Sequence, residues 1–238
     1  MLLKKIFEFV FGKRNNGNSR TLSIDPLKIL RRYVCLKKDI FFLQIGSNDG
    51  VSNDPIHVYV KKNKWKGIAV EPVKSNFEKL KKTYKDYPEV VVVNAAVTSQ
   101  NGKALIYKID ERFLDQLPSW CTQLASFNKI VIESHKNILP GIDKKITEEV
   151  VATININDYL REINVSKVDL IHIDTEGYDF EILKLIDIDK LDPDLILYEH
   201  KHLAPSTASD ANKLLEQYGL SVFIGQYDTI AIKDDFLT

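Results

Sequence analysis

Cysteine is nearly missing from this chain of 238 residues: Cys35 and Cys121 are the only two, and neither stands in a metal-binding or redox-type spacing. Their scarcity fits a reducing compartment. Net charge is missing as well, because 33 basic residues balance 33 acidic ones. A polyanion such as nucleic acid would call for an excess of positive charge, so lysine-rich patches such as Lys79, Lys81 and Lys82 read as solvated helix faces. No apolar run is long enough to span a bilayer, and no small-residue cleavage site follows the first apolar stretch. Internal repeats and low-complexity segments are also lacking. These absences point to a soluble, cytoplasmic protein.

What is present is a 44% share of hydrophobic residues, enough for one well-packed core. Residues 1–24 read as an appendage to it. In "MLLKKIFEFVFGKRNNGNSR", Leu2, Leu3, Ile6, Phe7, Phe9, Val10 and Phe11 suit a short amphipathic helix flanked by Lys4, Lys5, Lys13 and Arg14, with a flexible linker after it. Such a helix either meets a membrane surface or a partner protein, or it docks on its own domain and frays.

Residues 25–238 alternate short apolar runs with helical patterns, which predicts an α/β fold with a doubly wound, mostly parallel sheet and helices on both faces. Asp25-Pro26 caps a helix to about Leu36, and "DIFFLQI" is the first buried strand. "NDPIHVYVKKNK" reads as a helix with proline at its first position. "KGIAVEP" and "EVVVVNAAV" are the next two strands, and Asn101-Gly102 is a hairpin signal before "NGKALIYKI". Residues 110–150 lose the alternation, and an excursion of that kind often faces a substrate. Helix, strand, helix, strand and helix then follow through "NINDYLREI", "VDLIHID", "YDFEILKLI", "DLILYE" and about Ser206 to Tyr218. Gln226 and Tyr227 are too few to cross between parallel strands, so "LSVFIG" and "DTIAIK" form a hairpin, and one strand near the edge is reversed.

The segment "FFLQIGSNDG", residues 41–50, is where a nucleotide site is expected, because ligands of open α/β sheets sit beyond the carboxyl ends of the strands. A dinucleotide fingerprint needs G-x-G-x-x-G, with the middle glycine admitting a pyrophosphate. Asn48 occupies that place here, and Asp49 adds a negative charge. Beside a pyrophosphate the charge is repulsive, whereas beside a sulfonium carrying an ammonium group it is harmless or helpful. The turn therefore favours S-adenosylmethionine over NAD. Glu71, 21 residues after Gly50 at the end of "IAVEP", stands where an acid accepts both hydrogen bonds of a ribose diol.

The pieces "FLQIGSNDG", "IAVEP", "VNAAV", "VDLIHIDTEGYDFEILK" and "LILYEHKHL" resemble the FkbM-type family of class I S-adenosylmethionine-dependent methyltransferases over roughly residues 38–205, with "IDTEG" the most specific. The resemblance implies a Rossmann-like sheet of seven strands and O-methylation of a sugar, glycan or secondary metabolite. It also implies that Gly46, Ser47, Asn48 and Gly50 line the methionine end of the cofactor, that Glu71 holds the ribose, and that Asn94, Ala95 and Ala96 lie near the adenine. Gln44 departs from the acid usual there, although its amide still accepts from an ammonium group.

Methyl transfer to a hydroxyl needs a group that takes a proton. "HIDTEGYD" offers Asp174, Glu176 and Asp179 after the fourth strand. In an extended strand end Asp174 and Glu176 share a face, one toward the cofactor and the other toward the acceptor. Glu176 alternatively caps the next helix. His200 in "YEHKHL" is a second candidate base, since imidazole titrates near neutrality. Asp174, Glu199 and His200 also suggest a cage for a divalent cation such as Mg2+. His172 reads as a satisfied core histidine. Trp120, Ser126, Phe127 and His135 either shape an acceptor pocket, with His135 assisting proton transfer, or anchor the excursion. Two rival readings stay open: a non-catalytic nucleoside-binding module, and an NAD-dependent oxidoreductase.

Overall fold

Among the described residues the first helix, α1 (Pro26–Leu36), forms as its sequence predicts: the Asp25 carboxylate accepts from the Leu27 amide at 3.0 Å, and Pro26 sits where a missing N–H costs nothing. Its face of Ile29, Leu30, Tyr33 and Val34 is buried against the sheet. The computed structural model describes residues 25–237, so the N-terminal segment expected to be amphipathic lies outside the described residues.

The strands that follow are β1 (Phe41–Ile45), β2 (Lys66–Val70), β3 (Val90–Val93), β4 (Ala96–Val97), β5 (Gly102–Ile109), β6 (Ala125–Ser126), β7 (Ile146–Ile154), β8 (Leu170–Ile173), β9 (Leu195–Glu199), β10 (Ser221–Ile224) and β11 (Asp228–Ile232). Seven of them form the main sheet in the order β10-β11-β9-β8-β1-β2-β3. The strand β11 is antiparallel to both neighbours, β10 and β9, while β9, β8, β1, β2 and β3 pair in parallel. The expected hairpin and reversed strand are thus present, with Gly225, Gln226 and Tyr227 in the turn.

Side chains alternate across this sheet because a strand repeats every two residues. Phe42 packs with Leu30, Tyr33 and Trp65 on one face, and Leu43 and Ile45 pack with Leu160, Ile182 and Leu215 on the other. The α-helices that follow among the described residues are α2 (His57–Asn63), α3 (Lys74–Thr83), α4 (Lys129–Glu133), α5 (Ile156–Glu162), α6 (Asp179–Leu185), α7 (Ile188–Leu191) and α8 (Pro205–Gln217). The strand order reverses between β1 and β8, since the chain leaves β1 toward β2 and later returns to its other side. A crevice opens there at the carboxyl ends.

Three expectations are corrected. "EVVVVNAAV" is two strands, β3 in the main sheet and β4 in a second sheet of order β4-β7-β5-β6. The Asn101-Gly102 turn does not close a hairpin of adjacent strands: β5 pairs antiparallel with β7 over eight positions, from Gly102 opposite Thr153 to Ile109 opposite Ile146, and β4 runs parallel to β7. The β-branched run "ITEEVVATI" is therefore the end of the excursion and the return of order. Helix α2 begins at His57 and not at Pro55, because Asp54 Oδ1 accepts from the amides of Ile56 at 2.8 Å and His57 at 2.9 Å and holds a turn ahead of it.

Candidate active site

The crevice depends on Gly46. It follows β1 with φ of 82°, and a β-carbon there would lie 1.7 Å from the carbonyl oxygen of Asp174, so any side chain would collide with the backbone leaving β8. The amides of Gly46 and Ser47 donate to the Val70 carbonyl at 2.9 and 3.0 Å, and that of Asp174 donates to Ile45 at 2.9 Å. Three strand ends are drawn together around a cleft. Of the residues expected to meet a cofactor, Gln44, Gly46, Ser47, Asn48, Glu71, Ala95, Ala96 and Asp174 line it. Gly50 and Asn94 do not. Gly50, at φ of 71°, lets the turn press on Leu80 of α3, and the Asn94 amide donates to the carbonyls of Glu71 and Pro72, both at 2.9 Å.

Gln44 is 1% exposed and held on one side only. Its Nε2 lies 3.1 Å from Asp54 Oδ2 and 3.1 Å from His172 Nδ1. A carboxylate only accepts, so the amide must turn its nitrogen toward Asp54, and the same nitrogen then donates to His172 Nδ1. Burial pushes the His172 imidazole below its ordinary value, in keeping with a neutral acceptor. Gln44 Oε1 is left buried with no hydrogen-bond partner among the described residues. Both side-chain atoms of Asn48 are buried and without partner too. Orphaned polar atoms of this kind carry a desolvation cost that a ligand removes. Both residues line the cleft, and an unpartnered oxygen and amide suit the ammonium and carboxylate of a methionine group.

The Glu71 carboxylate is buried, with Oε2 accepting from the Asn48 amide at 2.8 Å and Oε1 from the Val73 amide at 2.9 Å. Burial raises its pKa from 4.5 to about 7, with the two amides opposing the shift and Glu149 and Asp49 adding to it. The expectation for Asp49 is corrected: its carboxylate accepts from the amides of Val51 at 2.9 Å and Ser52 at 2.8 Å and from the Ser52 hydroxyl at 2.7 Å, and it does not line the cleft. Its carboxylate is held in its own turn and outside the cleft, although its charge still reaches Glu71 there. Asn48 in place of the middle glycine, itself at φ of 48°, is the feature that still disfavours a dinucleotide.

Past β8 the chain turns at Glu176, whose φ is 51°, and at Gly177, whose φ is 98°. Asp174 and Glu176 therefore reach the same cleft through a turn and not through an extended strand. The turn is held by Asp179, fully buried, which accepts from the Thr175 amide at 3.3 Å and the Gly177 amide at 3.2 Å. Asp179, not Glu176, thus supplies the acid at the helix start. Burial lifts Asp179 to about 6, with these hydrogen bonds opposing it. Asp174 is lifted well above its ordinary value, first by burial and then by Glu176 and Asp179; Glu199 is raised by burial and then by Asp174 and Glu176. The Ser126 hydroxyl donates to the Glu176 carbonyl at 2.8 Å, tying the second sheet to this turn.

The other candidates lie elsewhere. His200 does not line the cleft; its Nδ1 is 2.9 Å from the Thr229 hydroxyl, and burial lowers its pKa. His135 is buried away from the cleft, with Nδ1 at 3.1 Å from the Val131 carbonyl and its ring 5.4 Å from that of Trp120. Trp120 packs with Cys121, Leu124 and Ile132 in a small core of the excursion, so it anchors, whereas Ser126 and Phe127 do line the cleft. The cage of Asp174, Glu199 and His200 is not assembled; among the described residues the donors that meet are Glu176, Glu199 and His202. Asp54, His172 and Tyr178 line the cleft unforeseen. For Asp54 the sequence shows only a helix-capping pattern, which one carboxylate oxygen suffices to explain.

The chain is similar to several solved structures. A crystal structure of an FkbM methyltransferase from Methylobacillus flagellatus KT is similar at a TM-score of 0.51 and 13% identity, covering 82% of this chain and 44% of that one. The chain thus spans less than half the length of that protein. A precorrin-6y C5,15-methyltransferase from Geobacter metallireducens GS-15 aligns at 0.43 and 14% identity over 91% of this chain and 93% of that one. A SAM-dependent methyltransferase from Aquifex aeolicus aligns at 0.41 and 13% identity over 97% and 95%. No curated protein sequence matches the chain. Among the described residues no helix is long and apolar enough to cross a membrane. The model of the methyltransferase FkbM domain matches residues 44–222, most of the chain, and the protein belongs to the FkbM methyltransferase family.

Proposed function

We propose that this protein transfers a methyl group from S-adenosylmethionine to a hydroxyl of a small molecule, a sugar, a glycan or a secondary metabolite. The observation that carries the reading is a single cleft equipped both to bind a methionine group and to accept a proton. Gln44 and Asn48, whose side chains carry unpartnered polar atoms, line it, and Asp174 and Glu176 line it as well. When bound, the sulfonium supplies a methyl group on an excellent leaving group, so the chain has only to align a nucleophile and take its proton.

Gln44, fixed by Asp54 and His172, presents an oxygen to the ammonium of the methionine end. Asn48 presents an amide to its carboxylate. Glu71 accepts from the ribose diol with the lone pairs its two backbone partners leave free, and Ala95 and Ala96 give the adenine an apolar wall. Either member of the Asp174 and Glu176 pair accepts the proton of the acceptor hydroxyl. Phe127 and Tyr178, whose rings meet edge to face at 4.9 Å, close the cleft toward the second sheet and exclude water there. The balanced charge of the chain favours an uncharged acceptor over nucleic acid.

Calorimetric titration with S-adenosylmethionine, S-adenosylhomocysteine and NAD tests the cofactor, with Glu71→Ala as control. Saturable binding of the adenosyl compounds, weakened in the variant, is expected, and release of S-adenosylhomocysteine with a panel of hydroxyl acceptors then tests the transfer. Binding of NAD alone, or of none of the three, refutes the reading.

A further inference from the structure

Glu176, Glu199 and His202 bring one ligand atom each to a common point, and all three atoms lie within 4.8 Å of one another. The His202 Nε2 is 2.9 Å from Glu176 Oε2 and 3.7 Å from Glu199 Oε2. Neither approach has the geometry of a hydrogen bond, so Nε2 and both Oε2 atoms are buried without a hydrogen-bond partner among the described residues. The His202 side chain is only 9% exposed, and those of Glu176 and Glu199 are 15% and 13% exposed. Three buried donors that face one another and leave each other unsatisfied are costly unless something sits between them.

The scaffold fixes them from independent directions. Glu176 is carried at a left-handed turn whose carbonyl is held by Ser126, Glu199 ends β9, and His202 follows in the next loop. A β-carbon at Gly177 would meet Val131 of α4 at 3.3 Å and the β-carbon of His202 at 3.4 Å, so the turn, the excursion and the His202 loop are packed together. The His202 ring also lies 5.7 Å from that of His135, whose own nitrogen is held by the Val131 carbonyl. Two donors each about 2.1 Å from one ion and at right angles about it are about 3.0 Å apart, close to the separation of Glu176 and His202. Glu199 needs a small side-chain shift to join them.

We propose that Glu176, Glu199 and His202 bind a divalent first-row transition cation such as Mn2+ or Zn2+. An imidazole among two carboxylates suits such ions better than Mg2+, which keeps its waters and prefers oxygen throughout. Two carboxylates and a neutral imidazole balance a charge of two. Three protein ligands also leave an open position, as at catalytic sites. Because Glu176 lines the cleft, the ion adjoins it; with Glu176 on the ion, an acceptor hydroxyl bound there is oriented and passes its proton to Asp174. This last step alone rests on the methyl-transfer reading.

The test is titration of the metal-free full chain with Mn2+, following loss of the free-ion electron paramagnetic resonance signal. One saturable site is expected, displaced by Zn2+, with spin-echo modulation from one imidazole nitrogen. His202→Ala and Glu199→Gln should each weaken Mn2+ binding by about 10-fold or more, while Asp192→Asn, beyond the other end of β9, should leave it unchanged. No saturable binding, no nitrogen modulation in the wild-type chain, or wild-type affinity in the two site variants overturns the proposal. Titrating the same samples with S-adenosylhomocysteine separates the two readings: adenosyl binding without the cation removes the metal site alone, and cation binding without adenosyl binding removes the methyl-transfer reading alone.

Discussion

Glu71 is the residue through which pH should act on this protein. Its carboxyl is raised from 4.5 to about 7, mainly by burial. The charged form is the disfavoured one in the fold, so between these values the folded chain holds a proton that the unfolded chain has lost. Stability is therefore greatest below pH 4.5 as far as this group is concerned, falls as pH rises toward 7 and levels off above it, a span worth about 3 kcal/mol. Cofactor binding should run the other way. A ribose diol donates to an ionised carboxylate, and lowering the pH from about 7.5 to about 5.5 cuts the ionised fraction roughly 25-fold for a group titrating near 7. Affinity for S-adenosylhomocysteine should fall by a similar factor.

Glu71→Gln isolates the effect. The variant keeps the shape but turns an NH2 toward either the Asn48 or the Val73 amide, leaving one without an acceptor, and it loses charge-assisted bonds to the ribose. Binding should drop by about 10-fold or more at neutral pH. Its pH dependence between about 5.5 and 7.5 should be flatter than that of the wild type. Calorimetry on both proteins across this range is the assay, and titration of the ligand itself cancels in the comparison. Wild-type affinity in the variant, or identical pH profiles in the two proteins, refutes the assignment of Glu71 to the ribose.

Three further outcomes are expected. Gly46→Ala places a methyl 1.7 Å from the Asp174 carbonyl oxygen and should cost about 3 kcal/mol or more; a urea midpoint equal to the wild type's would show that β1 and β8 are farther apart than described. Asp54→Ala frees the amides of Ile56 and His57 and lets Gln44 rotate, so stability should fall by about 1–3 kcal/mol and adenosyl affinity should fall with it. Unchanged calorimetric affinity would mean that Gln44 Oε1 does not meet the ligand. Asp179→Ala strips the Thr175 and Gly177 amides of their acceptor, so the turn bearing Glu176 should loosen. Methyl transfer should then fall more than S-adenosylhomocysteine affinity, and an equal loss in both would place the turn in cofactor binding.

The sequence by itself determined the order of elements, because burial period, caps and turn residues are local properties. Asp25-Pro26 started α1, the short connection at Gln226 and Tyr227 forced a hairpin, and "FLQIGSNDG" and "IAVEP" located the strand ends that line the cleft. It could not determine which side chains meet across those ends. Asp49 and Asn94 are spent on neighbouring backbone, a choice set by the path of a turn, and Glu199 meets His202 and not His200 because β9 ends there and the two histidines leave it in different directions. The second sheet was equally illegible, since β5 finds its partner in β7 only after the excursion has folded back. Gln44 shows the limit most plainly. Its identity is local, but the direction of its oxygen is decided by Asp54 ten residues on and by His172 on the neighbouring strand, and only packing brings those three together.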